Sequence, residues 1–362
     1  MPIEINNPAT SINYRNPTLI GLGASMALTA LVIVGSRNLE HFDSALFGYL
    51  IASIVAFGAI FFRYALWLQR PATRAYFSRG LKLFFQRKKF ARNTLDATTT
   101  VGINMLAQKF IFKRAKSRWL MHFLIMWGCV LSAAITFPLV WGWIHFKLES
   151  ETGYKAYVFG FPMQSMDVHS VMAFFTFKAL NFTALMVLAG CAIAIHRRLK
   201  DRGAIAVQQF LLDFVPHLLL IAICVSGLML TASSTYFGGY MYSFIALTHQ
   251  AIVIMTLFFL PFGKLFHIVQ RPASIGVELY QQRAKEMEQA KCRRCGVEFA
   301  SVMWLGDLKS VVEKVGFDYT MENGETLQDY CPRCKRVMRG LAYSVLMDRP
   351  DKVFHGTRAD GE

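Results

Sequence analysis

Six apolar runs limit what this chain can fold into. They cover roughly residues 18–36, 45–69, 119–144, 168–195, 210–231 and 244–268, each near or above the ~20 residues that a helix needs to cross a hydrocarbon core. Composition agrees: 54% of the 362 residues are hydrophobic and 31 are Phe, too apolar for a mixed soluble domain. The expected fold is all-α and integral to a membrane, a six-helix transmembrane bundle followed by a small metal-binding tail. The polar opening, MPIEINNPATSINYRNP, holds one base, Arg15, and no small-residue cleavage pattern, so no removable signal peptide is expected.

A net charge of +16 would suit nucleic acid, but its distribution argues against that partner. Residues 70–118 hold thirteen Lys/Arg against one acid, Asp96. The loop after the fourth run reads HRRLKDR, and the segment after the sixth carries Arg271, Arg283, Lys285 and Lys291. The intervening loops are poor in bases. By the positive-inside rule the basic loops face the cytoplasm, which places both termini there. Within 70–118, RAYFSRGLKLFFQRKKF interleaves aromatic and basic side chains, as expected for an amphipathic helix on anionic lipid or for a face that docks a soluble subunit.

Histidines mark the spans. His249 and His267 are 18 residues apart, five helical turns, which on a continuous helix puts both imidazoles on one face roughly 27 Å apart. Axial ligands of two haem irons stacked across a bilayer would have this arrangement. His122 lies about one turn inside the third run, at the expected depth of His267, and His169 lies near the depth of His249. His145 is out of phase with His122 by ~140° and reads as interfacial. His217 is a rival ligand on the inner side and otherwise interfacial, His196 a snorkelling residue and His41 a solvated loop residue. Lys178 and Asn181 sit inside the fourth run, where a lysine needs a partner, a cavity or a route to the interface. Gly128 and Gly227 would admit a flat ligand or a neighbouring helix equally well.

Seven cysteines divide into two groups. Cys129, Cys191 and Cys224 lie singly in spans and read as small hydrophobes. Cys292, Cys295, Cys331 and Cys334 form C-x2-C-x35-C-x2-C, two thiolate pairs that can close one tetrahedral site. Structural zinc is the first expectation. A rubredoxin-like iron is the alternative, although Lys335 stands where a glycine usually follows the second pair. A tail with few large apolar residues needs such a metal to fold. The segment WLGDLKSVVEKVGF between the pairs reads as helix and TMENGETLQDY as a turn with a strand edge. No phosphate loop, dinucleotide fingerprint or nucleophile motif is evident.

With these residues placed, HQAIVIMTLFFLPFGKLFHIVQRP resembles the last helix of the gamma subunit of respiratory nitrate reductase, a two-haem cytochrome b. The shared features are the His spacing, the Leu-Pro-Phe-x-Lys/Arg-Leu approach to the second histidine and the proline after it. FFRYALWLQRPATR resembles the end of that family's first helix. RWLMHFLIMWG is similar to the ligand helix of a wider group that includes cytochromes of heterodisulfide-reductase-like and sulfite-reductase-associated complexes. The resemblance covers roughly 45–285 and not the Cys-rich tail; with the cysteine spacing it gives three segments, an added helix in 1–44, a cytochrome b-like domain over 45–285 that includes 70–118, and a four-cysteine, zinc-ribbon-like tail over 286–362. It implies that His267 and His122 ligate a cytoplasmic-side haem b and that His249 ligates an outer one. Ser132 occupies the place of the outer haem's second ligand, so the chain holds one haem b or two: the outer haem is either absent or ligated from elsewhere, with His169 the candidate by depth and also a candidate quinone-site residue. The implied role is electron transfer between membrane quinone and a cytoplasmic iron–sulfur, flavin or molybdenum subunit, at a prokaryotic inner membrane. A haem-free transporter, or an anchor with a zinc-binding tail, is the alternative from another class.

Overall fold

The computed structural model describes residues 12–321 and 324–346. Residues 1–11 of the polar opening, 322–323 of the expected turn and 347–362 of the tail lie outside the described residues, and so does the expected placement of both termini. In chain order, α1 (Arg15–Gly35) and α2 (Phe47–Trp67) precede α3 (Pro71–Phe84) and α4 (Phe90–Thr100). A π-helical stretch, Val101–Leu106, leads to the single turn α5 (Lys109–Phe112) and then to α6 (Lys116–Val140). Strands β1 (Ile144–Ser150), β2 (Gly153–Val158) and β3 (Phe161–Asp167) follow, then α7 (Val171–Lys200), α8 (Arg202–Val207), α9 (Val215–Tyr236), α10 (Tyr242–Phe262) and the one-turn α11 (His267–Gln270). The chain continues through α12 (Ala273–Lys285), β4 (Gln289–Lys291), β5 (Glu298–Ser301), α13 (Val302–Lys314) and α14 (Pro332–Leu346). Among the described residues six helices, α1, α2, α6, α7, α9 and α10, are long and apolar enough to cross a membrane, with mean hydropathy from 1.8 to 2.3.

The chain divides into two compact units, one built from 13–67 and 99–272, the other from 68–98 and 273 onward. These boundaries differ from the segments expected from the sequence, because α3 packs on α12 and α13, far along the chain, and a division by sequence order cannot see such a pairing.

In the first unit α2, α10, α9, α7 and α6 each pack on the next, and α6 returns to α2, so five helices close a ring with α1 outside against α2. The tightest of these contacts, α6 on α7, depends on small residues. A Cβ on Gly128 would come within 2.6 Å of Val187, and one on Gly190 within 2.6 Å of Ile125. Gly128 is therefore a packing residue in this structure. Leu28, Val32, Leu50 and Val140 form a buried cluster where α1 meets the ring, and the Trp141 indole donates to Ser53 Oγ at 3.0 Å. The α6–α7 connection forms an antiparallel meander, β1–β2–β3, where the sequence reading expected a plain loop. Its signal is period-two alternation, Ile144, Phe146 and Leu148 against His145, Lys147 and Glu149.

The last span is broken. The sequence predicts one helix through 244–268, yet α10 stops at Phe262 and Gly263 is extended, at φ −89° and ψ −169°. Pro261 has no N–H to continue the ladder. Arg63 of α2 donates to the freed Pro261 carbonyl and at 3.4 Å to that of Gly263, and its guanidinium lies 4.4 Å from the Phe266 ring centre. A 3-10 turn, Lys264–Phe266, then delivers His267. The five-turn phase relation between His249 and His267 does not survive this break.

In the second unit Leu83, Leu279 and Tyr280 form the core between α3 and α12. Arg283, 2% exposed, is held by Asn93 Oδ1 at 2.8 and 3.0 Å, by Asp96 and by Glu286 at 3.0 Å. Arg79 and Tyr280 converge on Asp307 at 2.5 and 2.9 Å, fixing α13. The hydroxyl of Tyr280 is raised above its ordinary pKa by burial and by that bond.

Candidate functional site

The ring unit brings two of the expected ligands together. His122, on the second turn of α6, and His267, at the start of α11, have ring centres 6.5 Å apart and planes at 59°. Two imidazoles on opposite sides of one metal, with bonds of about 2 Å, would have centres roughly 6 Å apart. Both Nδ1 atoms already face oxygen acceptors: His122 Nδ1 is 2.9 Å from Gln108 Oε1 and His267 Nδ1 is 2.7 Å from the Lys264 carbonyl. A carbonyl oxygen only accepts, so these partners assign the proton to Nδ1 in both rings and leave the Nε2 lone pair free, the tautomer that ligates a metal. The donor set fits a bis-imidazole iron.

Each histidine is oriented through a further set of contacts. Lys264, whose carbonyl accepts from His267, binds Asp213 at 2.5 Å. Asp213 also pairs with Arg198 at 3.2 Å and accepts from the Gln209 amide at 2.9 Å. The residues preceding Gln108 are held by two indoles of α6: Trp119 donates to Ala107 O at 2.9 Å and Trp127 to Leu106 O at 3.2 Å. The sequence alone singles out none of Gln108, Arg63 and Asp213 for these roles. The Pro-Phe-Gly at 261–263 was the available signal for the break, whereas nothing local marks Gln108.

The other histidines are placed differently. His249 Nδ1 is 2.8 Å from Ser226 Oγ, whose hydroxyl is 2.6 Å from Ala222 O and donates there. His249 therefore donates to Ser226 and also keeps a free Nε2. A Cβ on Gly227 would lie 3.4 Å from the His249 ring, so the absent side chain leaves that face clear. No second imidazole joins His249 among the described residues. Ser132 turns to α7 and donates to Thr183 Oγ1 at 2.7 Å. His169 is exposed in the turn before α7; its backbone amide donates to Asp167 at 2.7 Å, and among the described residues its ring makes no hydrogen bond or ring contact. His217 Nδ1 is 2.8 Å from Asp213 O, a helix-internal partner. Lys178 reaches Thr235 Oγ1 at 3.3 Å, and Asn181 accepts from Thr231 at 3.0 Å.

His41 is not a solvated loop residue. It stacks on His145 with ring centres 4.2 Å apart, His145 stacks in turn on Tyr157 at 4.9 Å, and the ring nitrogens of both histidines are buried without hydrogen-bond partners. Burial, then the neighbouring His41 and Lys147, hold His145 below its ordinary pKa, against a weaker opposing pull from Glu40.

In the second unit the Sγ atoms of Cys292, Cys295, Cys331 and Cys334 all lie within 4.8 Å of one another, a group that could hold a metal ion. Left-handed Gly296, at φ 71°, turns the first knuckle so that its amide donates to Cys292 O at 2.9 Å. The amide of Cys331 approaches Cys292 Sγ at 3.3 Å and that of Cys334 approaches Cys331 Sγ at 3.4 Å. Burial opposes ionisation of Cys292, but amide donors from Cys331, Cys295 and Arg294 outweigh it and bring the thiol down to about 6. Cys334 is pushed up to about 12 by burial and by bonds to the other three sulfurs. Four thiolates at this spacing need a cation to compensate their charge.

No protein-family model, no curated protein and no solved structure matches the chain.

Proposed function

We propose that the chain is a haem b-carrying membrane subunit that passes electrons between membrane quinone and a cytoplasmic redox partner. The juxtaposition of His122 and His267, each with Nδ1 bonded and Nε2 free, carries this reading. A haem held by these two imidazoles would supply one-electron transfer. The protein's part is to hold both rings in the ligating tautomer, through Gln108 and the Lys264 carbonyl, at the start of the third span and just past the broken sixth. The pairing supports one haem. His249 has the tautomer of a ligand but, among the described residues, no partner imidazole.

The six apolar helices and the distribution of basic residues support a multi-pass protein of a prokaryotic inner membrane, with anionic lipid against the basic segment. The four-cysteine group is assigned to structural zinc, because a closed thiolate set with three buried members leaves no position for substrate. The redox partner is an iron–sulfur, flavin or molybdenum subunit. The direct test is the reduced-minus-oxidised spectrum of purified protein: His267→Ala is expected to lose the α-band of the wild type, and an unchanged band would overturn the assignment.

A further inference from the structure

Gln108 has a backbone that its side chain does not explain and a side chain that its backbone does not require. It lies at φ 53° and ψ 38°, left-handed, between the π-helical stretch and α5. Its carbonyl caps α5 by accepting from Ile111 at 2.9 Å and Phe112 at 3.2 Å. A cap of this shape favours glycine or asparagine, and a longer side chain is disfavoured there. Yet the residue is 1% exposed, and its amide is used at both ends: Nε2 donates to Met126 Sδ at 2.7 Å and Oε1 faces His122 Nδ1 at 2.9 Å. Met126 is one turn beyond His122 on α6, so the amide is fixed against the helix that carries the imidazole it orients. The Trp119 and Trp127 bonds, also from α6, hold the two residues just before Gln108.

We infer that Gln108 is a positioning residue: its amide oxygen sets the tautomer, ring plane and donor strength of His122 and so tunes the redox potential of the metal that His122 ligates. This rests on the haem reading above. A neutral amide acceptor leaves His122 a neutral donor. A carboxylate in its place would draw the Nδ1 proton and strengthen donation to the oxidised metal, and no acceptor at all would weaken it.

Two substitutions separate this role from a structural one. Gln108→Gly removes the acceptor and relieves the left-handed backbone, so the turn survives. Gln108→Glu keeps an acceptor and adds charge. Haem content by pyridine haemochrome, midpoint potential by redox titration and the low-spin EPR signal are measured on purified wild type and both variants. The expected result is a potential raised in Gln108→Gly and lowered in Gln108→Glu, each by about tenfold in the ratio of oxidised to reduced stability, or about 59 mV for one electron, with altered EPR g values. Loss of haem from the Gly variant with retention in the Glu variant also supports the inference. Unchanged potentials and EPR at full haem content would overturn it, as would haem loss from both variants. A haem-free wild type would overturn the functional reading itself.

Discussion

Replacing Arg63 with leucine should loosen the break that delivers His267. The guanidinium supplies the Pro261 and Gly263 carbonyls and lies over the Phe266 ring. A charge-assisted hydrogen bond contributes about 1.5–3 kcal/mol and a partly desolvated cation–π contact about 0.5–2 kcal/mol. The Gly263 contact, at 3.4 Å, is too long to count as a second full bond. The sum is roughly 2–5 kcal/mol, or about a 30- to 4,000-fold preference for the observed geometry at about 1.4 kcal/mol per tenfold. Hydrogen exchange of peptides spanning 257–270, followed by mass spectrometry in detergent, reads the effect without reference to any cofactor. Exchange in that stretch should accelerate in Arg63→Leu and much less in Arg63→Lys, while α9 peptides stay at wild-type rates. Equal exchange in wild type and Arg63→Leu would show that Pro261 and Gly263 make the break without help and would refute the role given to Arg63.

Arg283→Met should destabilise the unit containing the four-cysteine group by about 1–3 kcal/mol, since buried Asn93 Oδ1 loses its donor; a calorimetric transition unmoved from wild type would contradict this. The His41–His145 stack makes stability depend on pH. His145 is held below its ordinary value when folded, so the unfolded chain binds more protons, and stability should fall as pH drops below about 6.5 until the folded pKa is passed. Thermal midpoints from pH 8 to 5 should show that decline in wild type and a flatter profile in His145→Phe, and identical profiles would count against the burial of the His145 ring as its source. Purified protein should carry one zinc per chain by elemental analysis. Cys331→Ser should lose it together with the protection of residues 289–334 from proteolysis, whereas intact protection without metal would mean that this segment folds unaided.

The six spans could be read from the sequence because length and apolarity are the signals a hydrocarbon core selects, and the helices occur where those runs do. The four cysteines could be read as a group because knuckle spacing is local. The course of the last span was misjudged because helical phase was extended across Pro261 and Gly263, where the ladder ends. The β1–β3 meander was missed because an alternation of only seven residues was passed over between two strong helical signals. Gln108 and Arg63 were not visible for a different reason. Their roles depend on partners 14 and 198 residues away in sequence, and no local pattern distinguishes them from other polar residues at helix ends. The pairing of α3 with α12 that builds the second unit is equally non-local.

Haem stoichiometry of the purified wild-type protein, by pyridine haemochrome against quantitative amino-acid analysis, tests the central claim most directly. One imidazole pair at His122 and His267, with no partner imidazole at His249 among the described residues, predicts one b haem per chain. A colourless protein would contradict the functional reading, and two haems per chain would contradict the single-pair account of the ring.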